Sequence, residues 1–284
     1  MFDKISRSFS LARSSWDVLR TDKKLLIFPI LSGICCLIVV VSFVTPFIAV
    51  LLIQQKEPDE IPEWVYAITT FAFYFCNYFV IVFFNSALTS CALARFEGQE
   101  PTLGGGLKAA WVRLPQILAW ALVAATVGML LKMIENAHEQ VGKFISAILG
   151  TAWSVITFFV VPVLVVEQVG PIAAVQRSIG ILKRTWGEAL VGNFGIGLVM
   201  FLLAIPIFLL LLAGGVVCAS GSALLPVGVL LIVLALVGFV GLAAVSSAMN
   251  NIFVAALYRY AAEGQVAAGF DPATFRQAFS RKSA

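Results

Sequence analysis

The residues with the chemistry to do catalysis or bind a metal are few in this chain. His138 is the only histidine. It lies in ENAHE, 135–139, three positions after Glu135, a relation that helical metal sites use. Such sites need further ligands of the same kind, and no second histidine exists to supply one. The segment therefore reads as a solvated loop. GGG at 104–106 lacks the following Gly-Lys-Ser/Thr and the preceding strand of a phosphate loop, and reads as a flexible entry to a helix. Ser246 and Ser247 stand in no Gly-x-Ser-x-Gly frame. Neither enzymatic activity, nor a metal, nor a cofactor is expected.

Polar side chains inside long apolar stretches are more informative. Asn77 and Asn85, with Ser86, Thr89 and Ser90, lie in one such stretch, Asn193 in another, and Asn250 and Asn251 in a third. An amide in hydrocarbon must find a partner or face water. Asn85 precedes Glu97 by 12 residues and Asn251 precedes Glu263 by 12, whereas Val155 stands 12 before Glu167. A polar path is one reading. Hydrogen bonding between helices, worth about 0.6–2 kcal/mol, is the favoured one, because no charged residue lies mid-stretch. Glu167 and Arg177 flank Pro171, which breaks a helix, and are placed to form an ion pair across the linker. Arg177, Lys183 and Arg184 are also suited to an anionic headgroup.

The elements that must position these residues follow from charge distribution. The chain is 61% hydrophobic and 12% charged, against roughly 25% charged for a soluble domain. Residues 25–53, 64–94, 114–131, 144–166 and 189–258 carry no charge. About 20 helical residues cross a hydrocarbon core of roughly 30 Å. The first four runs supply one span each, and the 70-residue last run holds at least two. Its best break is AGGVVCASGSALLP, 213–226, rich in turn residues; SSAMNN, 246–251, is a weaker one. With six spans and a cytoplasmic N-terminus, 16 of the 19 Lys and Arg fall inside, the exceptions being Lys56, Lys132 and Lys143. Six spans with both termini cytoplasmic are predicted. No cleaved signal is expected at the N-terminus. Cys35, Cys36, Cys76 and Cys91 fall in spans and Cys218 in an outer turn, so no disulfide is expected. The net charge of +4 serves membrane orientation and implies no nucleic acid.

One basic, aromatic decamer occurs twice. RSFSLARSSW at 7–16 and RSIGILKRTW at 177–186 share Arg-Ser, a cation six positions after the Arg, and Trp three later. On a helix, Phe2, Ile5, Phe9, Ala12, Trp16 and Leu19 form one apolar stripe, with Lys4, Arg7, Arg13, Asp17 and Arg20 off it. Val175, Ile179, Leu182 and Trp186 repeat the stripe against Arg177, Lys183 and Arg184. Such helices rest in the membrane interface with cations toward lipid phosphates. LKAAW, 107–111, is a weaker third copy, and Asp271, Pro272, Arg276 and Phe279 mark a C-terminal one. The second, fourth and sixth spans each run into a glutamate (Glu97, Glu167 and Glu263), twice within EGQ. The predicted fold is an all-α membrane protein: six transmembrane helices as three parallel hairpin repeats, each introduced by a cytoplasmic interfacial amphipathic helix. The single membrane domain divides into an interfacial helix at 1–24, a hairpin at 25–96, interfacial helix and hairpin at 103–167 and again at 171–263, and an amphipathic helix at 270–284.

Two segments carry a family resemblance. SSWDVLRTDKKLLIFPILSG, 14–33, resembles the N-terminus of an uncharacterised family of bacterial six-helix membrane proteins. VPVLVVEQVGPIAAVQRSIGILKRTW, 161–186, resembles the membrane domain of bacterial glycerophosphodiester phosphodiesterases, with Pro162, Glu167, Ala174, Arg177 and Ser178 at the matching positions. The resemblance implies the six-span fold with interfacial helices and no activity, since the phosphodiesterase chemistry belongs to a separate soluble domain. The function expected is a non-enzymatic protein of the bacterial inner membrane that binds or organises anionic lipid, or a protein partner or second copy, at the cytoplasmic face. Arg7, Arg13, Trp16, Arg177, Lys183, Arg184 and Trp186 are the residues expected to carry it. The alternative is a permease or channel for a small solute, with a polar path past Asn85, Asn193 and Asn251.

Overall fold

A computed structural model of the protein describes residues 2–53, 62–137, 141–221 and 224–270, with the side chains of 2–8, 47, 50–53 and 184–194 left aside. The loop around Lys56, His138 and the C-terminal copy at Asp271, Pro272, Arg276 and Phe279 lie outside the described residues. Among the described residues every regular element is helical: α1 (Phe2–Thr21), a 3-10 turn (Lys23–Leu26), α2 (Ile27–Ile53), α3 (Glu63–Phe96), α4 (Leu103–Val112), α5 (Leu114–Ala137), α6 (Val141–Ile156), α7 (Val160–Glu167), α8 (Pro171–Ala219) and α9 (Leu225–Glu263). Six stretches are long and apolar enough to cross a membrane: Lys23–Pro46, Glu63–Phe96, Leu114–Ala137, Val141–Glu167, Gly195–Ala219 and Leu225–Glu263. The chain is a multi-pass membrane protein. The long apolar run divides at the Gly/Ser/Pro-rich turn, while SSAMNN lies inside α9. A turn needs residues that accept irregular backbone, and SSAMNN has neither Gly nor Pro to supply them.

The segment 171–186 differs from the expected separate interfacial helix. It is continuous with the fifth span as one helix of 49 residues. Pro171 starts that helix, where its missing N–H has no partner to lose. After it, isolated glycines such as Gly180, Gly187 and Gly192 are tolerated in a helix at about 1 kcal/mol each.

The helices fall into two compact units. The first comprises Met1–Pro29, Phe96–Gly98 and Thr185–Ala284, the second Ile30–Arg95 and Gln99–Arg184. In the first unit α1 packs on α9. Its buried face is Leu11, Ala12, Ser15, Val18 and Leu19, while Phe9 and Trp16 remain 41% and 43% exposed. Among the described side chains, Ala12 and Leu19 belong to both this face and the stripe read from the sequence. The reason is that α1 has a protein neighbour: small Ala12 and Ser15 let it approach closely, and the Ser15 hydroxyl is satisfied by the Leu11 carbonyl at 3.1 Å. Leu25, Phe28 and the α9 residues Ile252, Phe253, Leu257 and Tyr258 complete this core. Farther along, α8 and α9 touch at Ile207 and Gly238 and again at Gly214 and Gly228, so the two helices run in opposite directions.

In the second unit α5 and α6 also run in opposite directions. Trp120 stacks on Trp153 with ring centroids 5.7 Å apart, and the Ser146 hydroxyl donates to the Leu131 carbonyl at 3.0 Å. On α2 and α3, Phe43 meets Phe73 edge-to-face. Elsewhere large apolar side chains face outward, Leu37 and Ile38 at 63% and 61% exposure and Val237 and Val240 at 64% and 65%. Within a bilayer such faces meet lipid, and helix association rests on packing and hydrogen bonds.

The three helices that run into the recurring glutamate are each followed by a left-handed residue. The residue after Glu97, Glu167 and Glu263 has a positive φ: Gly98 at 81°, Gln168 at 56° and Gly264 at 72°. A left-handed residue there stops the helix and turns its last carbonyls onto new partners; the Gly264 N–H bonds the Tyr260 carbonyl at 2.9 Å.

Candidate functional site

Three places in the structure concentrate polar or cavity-forming residues. The first is the corner between α7 and α8, which contains Pro162, Glu167, Ala174, Arg177 and Ser178. Pro162 sits in the first turn of α7, where its missing N–H costs nothing. Had the helix run on unbroken from α6, its ring would have met the carbonyl of Phe158, four residues before. The fourth span is accordingly interrupted at 157–159. The interruption strands a carbonyl at Ile156 and an N–H at Phe159, and Ser178 of α8 serves both. Its hydroxyl donates to Ile156 O at 2.6 Å and accepts from Phe159 N at 3.1 Å. Ser178, Phe159 and Ala174 are all fully buried, so an unpaired group here would have no water to turn to. On the outer side of the corner Arg177 Nε donates to Glu167 Oε1 at 2.8 Å, with the arginine side chain 44% and the glutamate 25% exposed.

The second place is a groove of about 610 Å³ in the first unit, bounded by α1, α8 and α9. Phe9, Arg13 and Trp16 form its α1 side. Met200, Leu203 and Ile207 of α8 and Leu242 of α9 make an apolar wall, with Gly238 and Gly241 at its floor. A Cβ on Gly241 would meet nothing within 4 Å, so the floor there is open to the groove. Among the described residues Arg13 is the one charged residue of the lining. The arrangement is that of a slot for a hydrocarbon chain with a cation and an indole at one edge, the distribution that suits an amphiphile with an anionic head.

The third place is smaller and lies in the second unit. Ser90, Lys108, Arg113 and Val165 are among the residues that line an open cavity of about 340 Å³. Arg113 Nε donates to the Val165 carbonyl at 3.1 Å. That carbonyl belongs to the last turn of α7, where helix carbonyls lack partners within the helix.

The residues singled out in the sequence are thus dispersed. Arg13 and Trp16 line the groove, Arg177 pairs with Glu167, and Lys183 is exposed. The side chains of Arg7, Arg184, Trp186 and Asn193 lie outside those described. Asn77 donates to the Phe73 carbonyl and Asn251 to the Ser247 carbonyl, both at 2.9 Å and both one turn back in their own helices. Asn85 and Asn250 are half-buried, and Asn250 Oδ1 is a buried acceptor with no donor among the described residues. Among the described residues no asparagine lines the groove or the cavity. Among the described residues no group of three or more His, Cys, Asp or Glu is placed to hold a metal ion. Sequence reasoning missed Gly238 and Gly241, whose only signal is the small-residue spacing along α9. It also missed that Ser90 of α3 shares a cavity with Lys108 and Arg113, a relation made only by folding.

Residues 64–270 match the family described as "Family of unknown function (DUF6159)", and the chain belongs to that family. No curated protein matches it.

Proposed function

We propose that this member of the DUF6159 family is a non-enzymatic membrane protein that binds an anionic lipid at the cytoplasmic face of a bacterial inner membrane. The observation that carries the reading is the groove beside α1, where an apolar slot ends at Arg13 and Trp16. An acyl chain in the slot leaves its headgroup within the field of Arg13, and cations near a membrane surface are each worth about 1 kcal/mol toward anionic lipid. Arg7, Lys183, Arg184 and Trp186 are the further basic and aromatic residues that the sequence offers for the same role. Arg177 contributes mainly through its pair with Glu167. Placement of both termini in the cytoplasm rests on the Lys and Arg bias.

The repeat proposed for the chain is three parallel hairpins introduced by cytoplasmic interfacial helices. The left-handed residue after each of Glu97, Glu167 and Glu263 supports it, as do the opposite directions of α5 and α6 and of α8 and α9. The likeness to phosphodiesterase membrane domains lends only the fold, and the domain boundaries follow the same repeat.

A second reading, a permease with a polar path past Asn85, Asn193 and Asn251, draws on the buried Oδ1 of Asn250, which meets no donor among the described residues. A bundle of this kind ordinarily satisfies such an atom within the protein, and a transport path satisfies it with water.

The test is lipid retention by the purified full-length protein, read by native mass spectrometry after reconstitution in mixed phosphatidylglycerol and phosphatidylethanolamine. Wild type is expected to keep phosphatidylglycerol preferentially. Arg13→Gln should lose the preference but keep lipid, and Gly241→Phe, which fills the slot, should lose the lipid itself. Equal retention by wild type and both variants would sink the reading.

A further inference from the structure

We infer that Ser90, Lys108 and Arg113 form a binding pocket for a phosphate-bearing anion. The three residues come from the second span, from α4 and from the junction between α4 and α5, and they share one cavity in the second unit. Among the described residues the lining has two cations and no carboxylate, so its charge is complementary to an anion. Each cation has a distinct part. A guanidinium has five N–H donors in a rigid fork. The bond from Arg113 Nε to the Val165 carbonyl at 3.1 Å uses one of them and fixes the plane of the others. Lys108 is exposed, and its ammonium is a point charge on a long stem that can reach a ligand oxygen. Ser90 offers a hydroxyl, the neutral donor that commonly completes a phosphate site.

Size narrows the ligand. A cavity of about 340 Å³ holds on the order of ten waters at about 30 Å³ each. That is room for a phosphate group with part of its hydration. A phosphate presents several charged acceptor oxygens and so can engage all three donors at once, which a single carboxylate does less completely. The ligand chemistry is a phosphate monoester or free phosphate, from a lipid headgroup or from solution. This pocket shares no residue with the groove at Arg13.

The experiment uses the full-length protein in nanodiscs of phosphatidylcholine, with inorganic phosphate binding followed by equilibrium dialysis. A second preparation contains phosphatidic acid, whose retention is counted by native mass spectrometry. Lys108→Gln should weaken binding of whichever probe binds wild type by about tenfold or more. Lys108→Arg should restore it, and Lys132→Gln, a cation elsewhere in the same unit, should change nothing. Lys108 is exposed, so these variants do not disturb the fold; Arg113→Gln also removes the Val165 contact and serves only as a second check. Phosphatidic acid that is retained and excludes free phosphate identifies a headgroup site, and free phosphate that binds undiminished beside it identifies a soluble ligand. Either result upholds the pocket. Binding of neither probe to wild type, or binding that Lys108→Gln leaves intact, overturns it.

Discussion

Ser178 donates its hydroxyl to the carbonyl of Ile156 at 2.6 Å, across 22 residues of sequence, and so closes the gap that Pro162 opens in the fourth span. The same oxygen accepts the Phe159 N–H. Two backbone groups buried in an apolar setting depend on one side chain. Ser178→Ala should therefore destabilise the protein by about 1–3 kcal/mol, read as a shift in reversible unfolding in detergent micelles. A variant as stable as wild type would mean that the break is held by something else.

Glycine at the closest approach of α8 and α9 is the next expectation. A Cβ on Gly228 would lie 2.6 Å from Cys218 Sγ and 3.0 Å from Cys218 N, whereas one on Gly215 would meet nothing within 4 Å. Gly228→Ala should cost about 1–3 kcal/mol through overpacking. Gly215→Ala should be neutral or slightly stabilising, because alanine is the better helix former. Equal effects of the two substitutions would refute the close packing.

The left-handed stops are testable as a pair. Gly264 at φ 72° tolerates this backbone and alanine does not, so Gly264→Ala should lose about 1 kcal/mol. Gln168 holds a similar φ of 56° with a side chain attached, and Gln168→Gly should be neutral or gain a few tenths of a kcal/mol. Thermal unfolding of both variants beside wild type reads the difference. A loss on Gln168→Gly would show that the glutamine side chain contributes more than its backbone conformation costs.

Hydration of the spans separates the two functional readings. Single cysteines at Asn85 and Asn251, in a protein cleared of its five native cysteines, should resist a membrane-impermeant thiol reagent from both sides of the membrane. The Asn251 amide already donates to Ser247 O within its own helix, and that satisfaction needs no water. Labelling at both positions would make the permease the better account.

How much of this was legible beforehand differs from residue to residue. The six apolar stretches and the turn at 213–226 could be read directly, because the length needed to cross hydrocarbon and the residues that make a turn are local properties. The glutamate that ends each even span was visible as a repeat, but its left-handed successor was not, since Gln168 carries no glycine signal. In the α1 stripe Phe9 and Trp16 stay exposed while Ala12 and Leu19 pack within the protein. Periodicity shows that a helix is amphipathic, but what lies against it, lipid or α9, depends on the rest of the chain.

The sequence by itself determined that the chain is helical, that it crosses a membrane several times, and that its cations gather beside particular spans. Each of these is a sum over consecutive residues, so no fold is needed to compute it. Only the tertiary structure decided that Ser178 answers Ile156 and Phe159, that Arg113 holds Val165 beside Lys108, and that Arg13 and Trp16 edge a slot floored by Gly238 and Gly241. Those relations join residues from 19 to more than 200 positions apart. They arise because buried polar groups must find partners and small residues let helices meet, wherever in the chain those residues stand.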